Sequence, residues 1–283
     1  FDDGRMTVTT PQGALTLPVT TVGRFCGATT DNACQLSIHY DEAAGVTFTN
    51  GLAHRGVTVT VDGGHVTVDN PIDDTEITLS LSGNHSDGSL TYNGVYKCSL
   101  SLDGLRLANP DGAAIAMLCG KRIAVTVNGD NELTDGASGT HKACLYFKGH
   151  PEFSGSGSLT LTGNTNHALA TKEYLQLKKS FGTLRIRSAV NDGIHAGQYF
   201  QMNGGTVTLQ GIGGDGIQAE TTDNPADECN GQLLIKGGDL TIGLTAQDVA
   251  GLKSDSLLTI SGGTVTISAT GAADKCVKSG TDL

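Results

Sequence analysis

Asp192 and Asp215 have a spacing that could form a metal site, and each begins an Asp-Gly-Ile sequence. They lie about 23 residues apart, which is within the range of structural repeats. If their strands stack in neighbouring coils, the two carboxylates lie about 5 Å apart. Like charges at that distance repel unless a cation lies between them. Calcium binds six to eight oxygens, so two carboxylates with turn carbonyls and water would suit it. Glu220 and Asp255 align with each other a few positions further along. We therefore predict calcium here, the alternative being that Asp-Gly only forms turns.

A second position, which recurs at the same spacing, carries polar residues that could contact an acidic ligand. This position comes directly after an apolar residue that should point inward, so the side chains at this step should face solvent. Cations there could pair with uronate carboxylates, and one could act as a base toward the proton α to a carboxylate. The simpler alternative is a solvated polar stripe. The predicted ligand-binding residues at this step are His195, Gln218, Lys253 and Lys278.

A pair of tyrosines, Tyr174 and Tyr199, recurs at nearly the same interval as the aspartates. Outward rings stacked in this way could carry the face of a sugar, although aromatic pairs across strands also simply stabilise sheets. The chain has no Trp. A flat platform for crystalline cellulose is therefore less expected than a groove for charged chains.

These spacings belong to an internal repeat of about 24 residues, a length typical of solenoid proteins. The anchoring apolar residue of each copy follows the one before it by about 23–25 residues, as stacked coils of equal length require. One longer interval, between Ile217 and Leu252, contains an insertion near 221–231. Glycine pairs recur in phase, and the apolar residues on either side of them alternate with polar ones, which is typical of half-buried strands joined by turns. The anchors are Leu169, Ile194, Ile217, Leu252 and Val277.

Repeats of this length, made of short strands and glycine corners, predict an all-β right-handed parallel β-helix. The leucine-rich-repeat pattern is absent, a propeller would need longer antiparallel blades, and a sandwich would not repeat in phase. Residues 81–283 are assigned to the helix. Residues 1–80, where valines at 57–61 and 66–68 flank Asp62-Gly63-Gly64, are predicted to form a β-structured cap or a small separate β domain.

Composition narrows the function. The 283 residues carry a net charge of −11, which disfavours binding to nucleic acid. No apolar run approaches the length of a transmembrane helix. Phe1–Gly4 lacks the features of an export signal, so we expect such a segment to have been removed before residue 1. The seven cysteines form no Cys-x-x-Cys pair, and only Cys26 and Cys34 are close enough in sequence to close a short loop.

Several segments together resemble the carbohydrate-binding domain-containing family of pectate-lyase-like β-helices. They include the sequences AVNDGIHAG, GGDGIQAE and ISGGTVTIS, and the similarity covers 94–283 well and the first third loosely. The resemblance implies an exported binder of acidic wall polysaccharide that holds calcium. It also implies an aspartate at Ala250, so Asp248, two residues earlier, joins the candidate calcium ligands. Lys172 stands where the family has an acidic residue, which argues against an ion in that coil.

Three classes of function remain open at this stage. The first is a monomeric, extracellular or surface-attached protein that binds acidic polysaccharide with the help of calcium. The second is an enzyme, either a lyase with Lys253 or His195 as its base or a glycosidase that pairs Asp192 with Asp215. The third is an adhesin or a structural stalk.

Overall fold

A computed structural model describes residues 5–10, 13–18 and 35–281, and the predicted Cys26–Cys34 loop lies outside them. The first nine strands are β1 (Arg5–Thr10), β2 (Gly13–Pro18), β3 (Gln35–Asp41), β4 (Gly45–Asn50), β5 (Thr58–Asp62), β6 (Gly64–Asn70), β7 (Ile77–His85), β8 (Gly88–Gly94) and β9 (Cys98–Asn109). The next nine are β10 (Ile115–Met117), β11 (Arg122–Asn128), β12 (Asp130–Asp135), β13 (Ala143–Phe147), β14 (His150–Ser154), β15 (Ser158–Gly163), β16 (His167–Thr171), β17 (Leu175–Leu177) and β18 (Thr183–Ala189). The last eight are β19 (Ile194–Ala196), β20 (Phe200–Met202), β21 (Thr206–Ile212), β22 (Ile217–Ala219), β23 (Leu233–Leu244), β24 (Ala250–Ser254), β25 (Leu258–Ala269) and β26 (Lys275–Ser279).

The strands from β3 onward form the predicted right-handed parallel β-helix. One sheet of ten strands runs in the order β26-β24-β22-β19-β16-β13-β10-β8-β6-β5. The other sheet bends, so that β9 pairs first with β11 and then with β12, which gives the solenoid three faces. Within residues 35–281, one 3-10 turn, Ala53–Arg55, interrupts the strands. No helix in the described residues is long and apolar enough to cross a membrane.

The predicted inward stack of anchors is confirmed. Each of the five pairs with the next in the ten-stranded sheet. The stack also continues backward through Leu145, Ile115, Leu90 and Val66. All of these side chains are buried except Val277, which is only partly covered at the last coil. The stack therefore fixes the register of every column on the surface of this sheet.

The in-phase glycine pairs form corners, as the repeat predicts. In each pair the second glycine has a positive φ, between 82° and 90°, which favours glycine strongly over other residues. A Cβ on Gly238 would lie 2.5 Å from the carbonyl oxygen of Gly205 in the coil before. Coils can therefore stack at this corner only because no side chain is present there.

Residues 35–80 are continuous with the helix, so the division placed at residue 80 does not separate two folded units. That position lies inside β7, and β7 pairs in parallel with both β3 and β9. The valines around Asp62-Gly63-Gly64 form the antiparallel β5–β6 hairpin, and β6 already pairs in parallel with β8. Antiparallel β4 and β5 thus end the two sheets, because a solenoid must close its first edge against further pairing.

Candidate functional site

Two side-chain columns on the ten-stranded sheet carry the polar chemistry. We call residues two positions before each anchor the acid column, which contains His167, Asp192 and Asp215. We call residues one position after each anchor the outer column. The outer column contains His195, Gln218, Lys253 and Lys278 in register, as predicted.

The carboxylates of the acid column hold neighbouring coils together. Oδ1 of Asp192 accepts the backbone N–H of Asp215 at 2.9 Å. Oδ1 of Asp215 accepts the N–H of Ala250 in the next coil at 2.8 Å. Both aspartates are buried, so one oxygen of each is committed to the backbone and only Oδ2 is left for other chemistry.

In the first of these coils, Oδ2 of Asp192 lies between two histidines, 3.2 Å from Nδ1 of His167 and 3.2 Å from Nδ1 of His195. The imidazole rings stack with their centres 4.4 Å apart. Burial would raise the pKa of Asp192, but the polar contacts of both rings and the N–H of Asp215 outweigh it and hold that pKa far below its usual value. Burial would likewise lower the pKa of His195, but Asp192 and Glu220 raise it.

In the next coil, Oδ2 of Asp215 accepts a charged hydrogen bond from Nζ of Lys253 at 2.8 Å. Burial would lower the pKa of Lys253, but this bond and the nearby carboxylates raise it overall. An ammonium held in its charged form is a poor base. The geometry therefore favours Lys253 as a binding cation over the lyase base considered from the sequence.

The five predicted calcium ligands do not converge. Glu220 accepts from Gln218 at 3.0 Å, Asp255 accepts the N–H of Thr221 at 3.1 Å, and Asp248 lies 3.5 Å from Nζ of Lys275. Among residues 35–281, the one group of three or more potential metal ligands is His167, Asp192 and His195.

The geometry therefore does not favour the expected calcium cradle between Asp192 and Asp215. Calcium needs a shell of oxygens. Here the free oxygen of one carboxylate faces two imidazole nitrogens, and that of the other is bonded to a lysine ammonium. The donor set does not fit calcium at this place, and calcium binding by the protein stays a prediction.

A groove of about 730 Å³ opens beside these columns. Its lining includes His167, His195, Glu220, Tyr146 and Lys172. The 221–231 insertion forms one edge through Thr221, Thr222 and Asp223. A smaller cavity of about 120 Å³ lies further along the same sheet, lined by Asp215, Asp248, Val249, Ala250, Lys253, Lys275 and Lys278.

The tyrosines stack as their spacing predicts, with ring centres 4.6 Å apart and planes 11° apart. We call this stack, with His150 on the other face of Tyr174 at 4.4 Å, the aromatic column. Tyr199 is only 5% exposed. Neither tyrosine presents a free ring face, so the geometry favours packing over the expected sugar platform.

Sequence reasoning missed His167 as a site residue. It lies in the most divergent copy of the repeat, where alanine replaces the glycine before the anchor. The signal was nevertheless present, because His167 stands two residues before Leu169 as Asp192 stands two before Ile194. Tyr146, which also lines the groove, stands one position after the anchor Leu145 and is in register with the outer column through Ala170. Lys172 comes directly after the end of β16.

Comparison with known proteins agrees with this architecture. The sequence model of the carbohydrate-binding domain-containing family matches residues 62–282. A polysaccharide lyase-like protein from C. thermocellum, solved as a gadolinium derivative, superposes with a TM-score of 0.70 at 25% identity, over 86% of this chain and 94% of that one. No curated protein matches. Since the family model covers most of the chain, the protein belongs to the carbohydrate-binding domain-containing family.

Proposed function

We propose that the protein binds acidic polysaccharide, such as a polyuronate, along the ten-stranded sheet. The observation that carries this proposal is the set of lysines along that sheet in a chain whose net charge is −11. Lys253 and Lys278 stand one coil apart in the outer column, and Lys275 joins them at the smaller cavity. Lys142 and Lys172 line the larger groove.

The spacing of these cations suits a linear polyanion. Successive coils rise by about 4.8 Å, so lysines in register offer positive charge at regular intervals along the helix axis. Lys278 is exposed, and Lys253 keeps part of its surface in solvent beside Asp215. Ammonium groups form charge-assisted hydrogen bonds with carboxylates. Direct pairing of this kind supports uronate recognition without an ion between protein and ligand.

Family membership and the lyase-like neighbour support a polysaccharide as the ligand class. Lys253 is not favoured as the base of a lyase, because Asp215 holds it in its charged form. An extracellular or surface-attached location follows from the proposed ligand and is part of the same proposal. So is action as a monomer.

The test compares one polymer in charged and neutral forms. Calorimetry with polygalacturonate and with its fully methyl-esterified form separates the charge from the sugar backbone. We expect binding to the charged form, weakened by added salt because exposed charges are screened. Equal binding to the two forms would overturn the proposal, as would no binding to either.

Variants locate the site. Replacing Lys253 and Lys278 together by Gln should weaken polygalacturonate binding roughly tenfold, equivalent to about 1.4 kcal/mol. The matched control replaces Arg185 and Lys236 by Gln, since these exposed cations lie on the other sheet and the change in net charge is the same. An equal loss in both double variants would show only a general charge effect and would contradict this placement. Replacing Lys253 also removes the ion-pair partner of Asp215. Melting curves therefore check that the double variant stays folded, and the single Lys278→Gln variant tests the site with that pair intact.

A further inference from the structure

The buried ligands around Asp192 have the chemistry of a transition-metal site. His167 and Asp192 belong to the acid column, while His195 comes from the outer column of the same sheet. One ligand atom from each lies within 4.8 Å of the others. Two imidazole nitrogens and one carboxylate oxygen suit zinc and its neighbours in the first transition row, whereas calcium prefers oxygen ligands alone.

The distances fit a single ion. Zinc lies about 2.0–2.2 Å from nitrogen and oxygen ligands, so two ligands of one tetrahedral ion are about 3.4 Å apart. Both Nδ1 atoms lie 3.2 Å from Oδ2 of Asp192. All three ligand atoms lie within 4.8 Å of one another, so binding one ion would draw the two histidine rings closer together.

A second and independent observation is the state of His167. The residue is 8% exposed, and its buried Nδ1, which lies 3.2 Å from Oδ2 of Asp192, has no hydrogen-bond partner among the residues that the structure describes. Buried polar atoms in native proteins are almost always hydrogen-bonded, and leaving one without a partner is costly. A metal ion between His167 and Asp192 would satisfy this nitrogen through its lone pair.

The surrounding contacts resemble an outer ligand shell. Nε2 of His195 lies 3.3 Å from Oε2 of Glu220. A carboxylate in that place holds the outer ring N–H and leaves Nδ1 free to bind metal. Oδ1 of Asp192 is fixed by the backbone N–H of Asp215. Two of the three ligands are thus oriented before any ion arrives.

We propose that His167, Asp192 and His195 bind one transition-metal ion of the zinc class, with Glu220 as the outer partner of His195. Three protein ligands leave a position for water or an exogenous ligand. Because His167, His195 and Glu220 line the 730 Å³ groove, that position faces the groove. The metal site stands on its own geometry and does not depend on the polysaccharide proposal.

The test uses the whole chain, stripped with a chelator and titrated with zinc chloride in a calorimeter. We carry it out in a Cys276→Ser background, because the exposed Cys276 thiol could bind zinc by itself. The wild-type site should take up one equivalent, which His167→Gln and His195→Gln should each weaken at least 100-fold. Glu220→Gln should weaken it by about 10–100-fold, as for other outer-shell partners. The control His65→Gln removes a half-exposed histidine of another coil and should change nothing.

Visible absorption of bound cobalt provides a second measurement of the site. Cobalt-loaded protein should show visible d–d absorption that zinc displaces, that the His167 and His195 variants lack, and that millimolar calcium leaves unchanged. Zinc binding that is equal in wild type and both histidine variants would overturn the proposal, as would no uptake by the wild type at micromolar concentration. His195 is only half-buried, so its variant should fold and keeps the test decisive if His167→Gln does not.

Discussion

The acid column and the aromatic column occupy overlapping coils, and the sequence predicted a ligand for both, yet they differ in which side chains lack a partner. In the acid column a buried imidazole nitrogen lacks a hydrogen bond, and the groups beside it line a groove. In the aromatic column each ring covers the next, and the hydroxyls of Tyr174 and Tyr199 bond to Glu152 and Gln176. Regular spacing therefore predicts that side chains stack, whereas binding requires that something in the stack stays open.

Breaking the register that both columns share should have the largest effect. Ile217 is fully buried in the anchor stack, and Ile217→Asp would place an unpaired charge there, which costs several kcal/mol. We expect loss of cooperative unfolding at ambient temperature, measured by circular dichroism. Val277→Asp is the matched control, because Val277 ends the same stack and is only partly covered. Its melting temperature should fall much less. Equal losses would mean that the stack does not carry the fold.

A substitution in the aromatic column should reduce the stability of the protein without changing its affinity for polysaccharide. Tyr174→Leu removes two ring contacts and the bond to Glu152, so we expect a loss of about 1–2 kcal/mol in denaturant unfolding. Polygalacturonate affinity should not change. Tyr146→Leu is the contrasting variant, since Tyr146 lines the groove and its loss should weaken binding severalfold. A loss of affinity in the Tyr174 variant would restore the sugar platform.

The smallest expected effect is the pH dependence of the aromatic column. Burial would raise the pKa of Glu152, but the Lys178 ammonium at 2.7 Å and the Tyr174 hydroxyl outweigh it and lower that pKa. Its contribution to stability is therefore present above the unfolded pKa of about 4.3 and is lost as pH falls through the folded pKa.

Glu152→Gln should accordingly be less stable than wild type at pH 7, by about 0.5–1 kcal/mol, and the difference should shrink as the pH falls below the unfolded pKa of about 4.3. Thermal melts across this range provide the measurement, and Lys178→Gln should behave in the same way. A difference that stays constant with pH would mean that Glu152 stabilises by packing and not by charge.

Much of the fold could be predicted from the sequence because each coil of a solenoid repeats the same local pattern. The anchors and glycine corners recur with a spacing that only stacked coils satisfy, so the inward stack and the outer column were both predicted residue by residue. The continuity of the β-helix across residue 80 was not predictable from the repeat. The repeat is blurred there, and only strand pairing shows that β7 continues the helix.

What the sequence determined by itself was the periodicity, and with it which residues share a column, because backbone pairing between coils leaves the register little freedom. Only the tertiary structure decided which partner each side chain meets. Asp192 and Asp215 occupy the same step and make the same backbone bond, yet one faces two histidines and the other a lysine. His167 comes from the neighbouring coil at the same step, His195 from the outer column of the same coil, and Lys253 from the outer column of the next coil. The chemistry of a carboxylate depends on the charges within a few ångströms of it, and such distances exist only once the coils are stacked.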